Sequence, residues 1–134
     1  MNLPRIEVGR VGPATVLHIE DDRDVANAVA RLLRLDGYHV ICAASRDEAI
    51  RLVEDGLIPD LILTDYHLPR GIAGDQIVAE IVYRLGFKPP TLMLATLSDH
   101  ETRTLSSVVD RIFAKSSEID LVLHEIGCLL GPRA

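Results

Sequence analysis

Leu61-Ile62-Leu63-Thr64-Asp65-Tyr66-His67-Leu68-Pro69 is a short strand-like run that ends in one carboxylate, followed by a turn closed by proline. A run of this kind bounded by turn signals reads as a strand buried on both faces. Upstream, Val16-Leu17-His18-Ile19 ends in the same way, in Glu20-Asp21-Asp22. If the two strands lie side by side and parallel, their terminal acids come together. The carboxyl ends of parallel strands are where an open α/β sheet binds ligands. Clustered carboxylates there predict a hard divalent cation as the ligand.

Working outward, the chain alternates between strand and helix from Thr15 onward. Further strands are expected at His39–Ala43, Thr91–Ala95 and Arg111–Ala114. Asp24–Leu35 carries Val25, Val29, Leu32 and Leu33 at helical spacing and stops at Gly37. Ser45–Asp55 opens on a capping box, Ser45 with Glu48, and stops at Gly56. Gln76–Leu85 is the third helix and Asp99–Ser107 a fourth with little apolar content. Ser117–Leu130 is the last, with Ile119, Val122, Leu123, Ile126 and Leu130 on one face. The pattern predicts an α/β fold, a parallel sheet covered by helices on both faces. Residues 1–13, broken by Pro4, Gly9, Gly12 and Pro13, read as an N-terminal extension, and 14–134 as one domain.

Composition narrows the function. The chain has 134 residues, the size of a single domain, and is 48% hydrophobic but only 4% aromatic, so its core is aliphatic. A net charge of −6 argues against direct nucleic-acid binding. No apolar stretch reaches spanning length and no secretory signal opens the chain, so a cytoplasmic location with no membrane partner is expected. Cys42 and Cys128 lack a CxxC spacing and read as buried thiols. His18 reads as a hydrogen-bonded core histidine, and His39, His100 and His124 as too scattered for a metal site.

The ordered set Glu20-Asp21, Asp65-Tyr66-His67-Leu68-Pro69 and Lys115 resembles the receiver domain of two-component response regulators, over about residues 15–130. The resemblance implies a flavodoxin-like sheet of order 2-1-3-4-5 and a stand-alone regulator without an output domain. It implies that Asp65 is the phosphoacceptor and Lys115 its partner. Mg2+ would be held by Glu20 (through water), Asp21, Asp65 and the His67 backbone carbonyl. The phosphoryl donor would be a histidine kinase or a histidine phosphotransfer protein, and a homodimer is among the expected forms. A donor would approach over the first helix, around Val25 and Ala28. Elementary electrostatics agrees with these roles, because a carboxylate meets an anionic phosphoryl donor only where positive charge relieves the repulsion. The resemblance implies a phosphoacceptor module, not a conventional enzyme.

Three positions depart from the family pattern. Ala95 stands where a Thr or Ser usually binds the phosphoryl group, and Thr96 follows it as a tentative substitute. Alternation along a strand turns Thr96 to the other face unless the strand end is bulged. Ile112 replaces the usual aromatic residue, and Ser116 the usual proline. Two other readings remain: a pseudo-receiver that binds proteins without being phosphorylated, and an aspartyl-phosphate phosphohydrolase. The second normally needs an Asp two residues after the nucleophile, where this chain has His67. Gly71-Ile72-Ala73-Gly74 lacks the Lys and Ser/Thr of a phosphate loop and is read as a backbone turn beside the site.

Overall fold

The computed structural model describes residues 12–96, 107–115 and 117–131. Its strands are β1 (Thr15–Ile19), β2 (His39–Ala43), β3 (Leu61–Asp65), β4 (Thr91–Ala95) and β5 (Arg111–Ala114). The helices are α1 (Arg23–Leu35), α2 (Arg46–Glu54), α3 (Gly74–Leu85) and α4 (Ile119–Leu130). The sheet is parallel throughout, in the order β2-β1-β3-β4-β5 expected from the sequence. The predicted helix over 99–107 and Ser116 fall largely outside the described residues, as does most of the 1–13 extension.

Two aliphatic clusters fill the faces of the sheet. Val16, Leu61, Leu63, Leu92 and Leu94 pack with Val29 and Leu33 of α1 and Val122 and Ile126 of α4. On the other face, Leu17, Ile19 and Ile62 pack with Ile50 of α2 and Ile77 and Ile81 of α3. β1 and β3 are therefore covered on both sides, which is why they read as continuous apolar runs. Asp22 caps α1, accepting from the amides of Asp24 and Val25, and Ser45 caps α2, accepting from Glu48 N. Glu48 Oε1 accepts from Ala44 N at 2.7 Å, so the capping box closes one residue before the cap itself.

Four expectations change. Cys42 and Cys128 are exposed, not buried: β2 is an edge strand and Cys42 lies on its open side, while Cys128 lies on the outer side of α4. Leu32 is 39% exposed, because α1 turns Ala26, Val29, Ala30 and Leu33 to the sheet instead. α3 starts at Gly74, two residues earlier than read. His18 is fully buried, but neither ring nitrogen has a hydrogen-bond partner among the described residues.

Gly74 has a role that composition does not reveal. Its amide donates to Tyr66 O at 2.8 Å. A Cβ there would collide with the backbone carbonyl oxygen of Asp65 and lie 2.6 Å from Thr64 Oγ1. Only glycine lets α3 begin against the end of β3. Gly127, inside α4, is the opposite case: an added Cβ would meet only Tyr38 OH, at 3.9 Å. Gly74→Ala is expected to cost about 1–3 kcal/mol by overpacking, whereas Gly127→Ala should gain about 0.5–1 kcal/mol from helix propensity. Urea denaturation measures both, and a neutral Gly74→Ala would show that the close approach does not constrain the fold.

Burial lowers the pKa of His18 from 6.5 to about 4, and the charge of Lys115 adds to the effect. Below pH 6.5 the unfolded chain therefore takes up a proton that the folded chain refuses. This contribution to stability is complete above 6.5 and is lost as the pH falls toward 4, by up to about 1.4 kcal/mol per pH unit. Comparing the stability of His18→Leu with the parent between pH 7 and 4 isolates the effect. The parent should lose more than the variant over that range, and parallel losses would place the acid sensitivity elsewhere.

Candidate functional site

Three strand ends build the site. Backbone bonds fix each one: Glu20 N donates to Ala43 O, Tyr66 N to Leu94 O and Lys115 N to Ala95 O, each at 2.9 Å. Glu20 and Asp21 follow β1, Asp65 closes β3, and Lys115 follows β5. The side chain of Lys115 spans the gap. Its Nζ donates to Asp65 Oδ2 at 2.8 Å and to Glu20 Oε2 at 3.3 Å, and lies 3.0 Å from Glu20 Oε1. Asp65 Oδ1 accepts from Tyr66 N at 3.1 Å, and Glu20 Oε2 from Asp22 N at 3.1 Å.

One ligand atom from each of Glu20, Asp21 and Asp65 lies within 4.8 Å of the others. Three carboxylates against one ammonium leave two negative charges, which a divalent cation balances. Glu20 Oε1 is buried and makes no hydrogen bond; the ion pair with Lys115 is its one contact with charge among the described residues. Because Lys115 is shared with Asp65, this buried carboxylate oxygen still has room for a metal-bound or ordered water. The donor set, all oxygen and all beside one another, fits Mg2+ and not a thiophilic metal.

The electrostatics reflect the same imbalance. Burial pushes the Asp65 carboxyl above its ordinary range; the hydrogen bond and charge of Lys115 pull it down, and the charge of Asp21 pushes it up. Burial also raises Glu20, against the Asp22 amide and Lys115. For Lys115, burial works against the charged form, yet its bonds to Asp65 and Glu20 prevail and the net direction is up. The ammonium is thus locked on, while the carboxylates carry the cost.

Of the other predicted residues, His67 is exposed, forms an antiparallel bridge with Ala73 and sets its ring edgewise to Tyr66, 4.8 Å between centroids. Pairing of β4 with β5 runs unbroken through Ala95 and Ala114. Ala95 is buried with Met93 and Tyr66, and Thr96 is exposed just beyond the strand. Ile112 is 42% exposed. Asp22 serves as the cap of α1 and supplies its amide to Glu20, so it supports the acids from behind. Gly74 ends the Gly71–Gly74 segment read from the sequence as a backbone turn beside the site, and the structure places it there, although its close approach to the Asp65 carbonyl was not foreseen.

The response regulator receiver domain family matches residues 16–126. Among curated proteins, the transcriptional regulatory protein CpxR of Escherichia coli is 29% identical over 90 residues, covering 67% of this chain and 37% of CpxR. The positive alginate biosynthesis regulatory protein of Pseudomonas aeruginosa is 36% identical over 87 residues, covering 63% of this chain and 34% of that protein. The match thus spans about a third of the length of these relatives. Among solved structures, response regulator TrrA from Thermotoga maritima, in complex with Mg2+ and BeF, superposes with a TM-score of 0.74 at 25% identity. That alignment covers 87% of this chain and 99% of TrrA. No helix among the described residues is long and apolar enough to cross a membrane. With the family match covering most of the chain, the sheet in the family's order and the acids and lysine assembled at its carboxyl edge, this chain belongs to the response regulator receiver domain family.

Proposed function

We propose that the chain is the Mg2+-dependent phosphoacceptor of a two-component or phosphorelay system, with Asp65 taking a phosphoryl group from a phosphohistidine. The observation that carries this reading is Lys115 Nζ at 2.8 Å from Asp65 Oδ2, beside the carboxylates of Glu20 and Asp21. A carboxylate oxygen of Asp65 bonds to phosphorus as the phosphorus–nitrogen bond of the donor breaks, and the imidazole nitrogen keeps the electron pair. Lys115 supplies one positive charge to the transferring group and is held charged by its neighbours. Glu20, Asp21, Asp65 and the His67 carbonyl are the candidate metal ligands, with Glu20 acting through water. The bound ion would add the further positive charge that the anionic donor and acceptor require. The donor is a histidine kinase or histidine phosphotransfer protein docking over α1, where Val25 is half-buried and Ala28 exposed. We place the protein in the cytoplasm.

On the output side, the reading is a phosphoryl carrier, or a module read through local charge. Ala95 offers no hydroxyl to the phosphoryl group and packs instead under Tyr66. Ile112 lacks the ring whose swing would report the change. A phosphoryl group biases two states only through contacts that differ between them, and one missing charged hydrogen bond removes about 1.5–3 kcal/mol of such bias.

Incubation with a small phosphodonor and Mg2+ should add the mass of one phosphoryl group to the parent and none to Asp65→Asn, read by intact-protein mass spectrometry. Labelling of the variant would overturn the assignment of Asp65, and an unlabelled parent would favour the pseudo-receiver. In the same labelled sample, amide NMR shifts should cluster near Asp65. Large shifts across residues 97–112 would contradict the carrier reading, and their loss in Thr96→Val would make Thr96 the displaced switch residue.

A further inference from the structure

The turn after β3 is a small hairpin. Gly74 N donates to Tyr66 O at 2.8 Å, Leu68 N donates to Ile72 O at 3.2 Å, and His67 bridges Ala73. Pro69, Arg70 and Gly71 form its tip. Arg70 lies there at φ 69° and ψ 20°, in the left-handed region. Every other described residue with positive φ is a glycine. The backbone here favours glycine, and a bulky residue held against that preference is strained in the way that residues at binding and catalytic sites often are.

The guanidinium at this tip is uncommitted. Arg70 is exposed and makes no hydrogen bond or ion pair among the described residues. It stands beside a cleft of about 390 Å3 that opens between the hairpin and the start of α2. The second arginine of this cleft, Arg46, is tied: its Nε donates to Glu80 Oε2 at 2.8 Å and its Nη1 to Asp47 Oδ1 at 3.0 Å. Arg23, at the start of α1, stands between Asp22 and Asp24, which offset its charge. Lys115 is bound to Asp65 and Glu20. The carboxyl edge thus carries excess negative charge, which repels an anionic donor, and Arg70 adds a positive charge that is not spent on a neighbour. It comes five residues after Asp65, so their Cα atoms are at most about 18 Å apart.

We propose that Arg70 is a specificity residue of the phosphoacceptor site: its free guanidinium draws in the phosphoryl donor and favours donors with more negative charge on the phosphoryl group. The inference rests on the reading of Asp65 as the acceptor. Arg70 acts on the encounter, through a field that salt screens, and forms no bond to phosphorus. Removing one unit charge about 10 Å from a dianion in water slows its arrival about fourfold, and from a monoanion about twofold.

The test follows the rate of labelling of the full chain by intact-protein mass spectrometry, with saturating Mg2+. Two small donors serve as probes: acetyl phosphate, a dianion at neutral pH, and phosphoramidate, which carries one net negative charge. At low ionic strength Arg70→Gly should slow labelling by acetyl phosphate about fourfold and by phosphoramidate about twofold. Arg70→Lys should keep the parent rate, and Arg70→Glu should fall below Arg70→Gly. In about 1 M salt, where the Debye length is about 3 Å, the parent and all three variants should converge. Arg70→Gly should be at least as stable in urea as the parent, because glycine takes φ 69° without strain, which separates lost charge from a lost fold. Equal rates in the parent and all variants at low ionic strength would overturn the inference, as would an equal loss with both donors. A deficit that persists in high salt, or that recurs in Arg70→Lys, would mark a structural role and overturn it too. A parent that is not labelled at all would sink the reading of Asp65 as acceptor, and this inference with it.

Discussion

Everything at the carboxyl edge of the sheet depends on Lys115 facing more negative charge than it can neutralise. Two like charges about 4 Å apart repel by roughly 4 kcal/mol at an effective dielectric near 20. Glu20, Asp21 and Asp65 meet at about this range, and one ammonium relieves only part of the repulsion. The protein tolerates this because the backbone does not yield. The amides at all three strand ends are bonded across the sheet, and β1 and β3 are buried on both faces. The sheet acts as a rigid frame that holds repelling groups within reach of a common ligand. Such preorganisation lets a site stabilise incoming charge without rearranging.

The loop after β3 extends the frame. Gly74 sets the start of α3 against the Asp65 carbonyl, and Tyr66 N is shared between Leu94 O and Asp65 Oδ1. The Asp65 carboxylate is therefore oriented from its own backbone on one side and by Lys115 on the other. Beyond that, the coupling thins. Ala95 ends β4 as a small buried side chain, and Ile112 stands partly exposed on the edge strand β5. Under the proposed function, the acids and Lys115 would accept the phosphoryl group, while Ala95 and Ile112 carry neither the hydroxyl nor the ring that would relay its presence.

The strands and the acid cluster were readable in the sequence because both rest on local pattern, whereas the order of the sheet came from the family resemblance. Apolar runs ending in Asp65 and in Glu20-Asp21 announced two central strands, and helical spacing placed the covering elements. What was missed depends on distance between segments. The closeness of Gly74 to Asp65 arises from the path of a turn that spacing does not encode. His18 was rightly placed inside the core, but its lack of partners follows from what packs around it. The two cysteines were judged by residue type, whereas their exposure follows from β2 being an edge strand and from the rotation of α4 on the sheet. The same rotation leaves Leu121 and Leu129 outside while Val122 and Ile126 face the core.

The central claim is that the charge imbalance around Lys115 is a binding site for a divalent cation. The direct measurement is thermal stability as a function of Mg2+ in the parent and in Asp21→Asn. At about a hundred times its dissociation constant, the ion should stabilise the parent by about 2.7 kcal/mol. Asp21→Asn removes one of the two uncompensated charges, so it should begin more stable without metal and respond to Mg2+ far less. Equal stabilisation of the two proteins, or no response in the parent, would contradict the account.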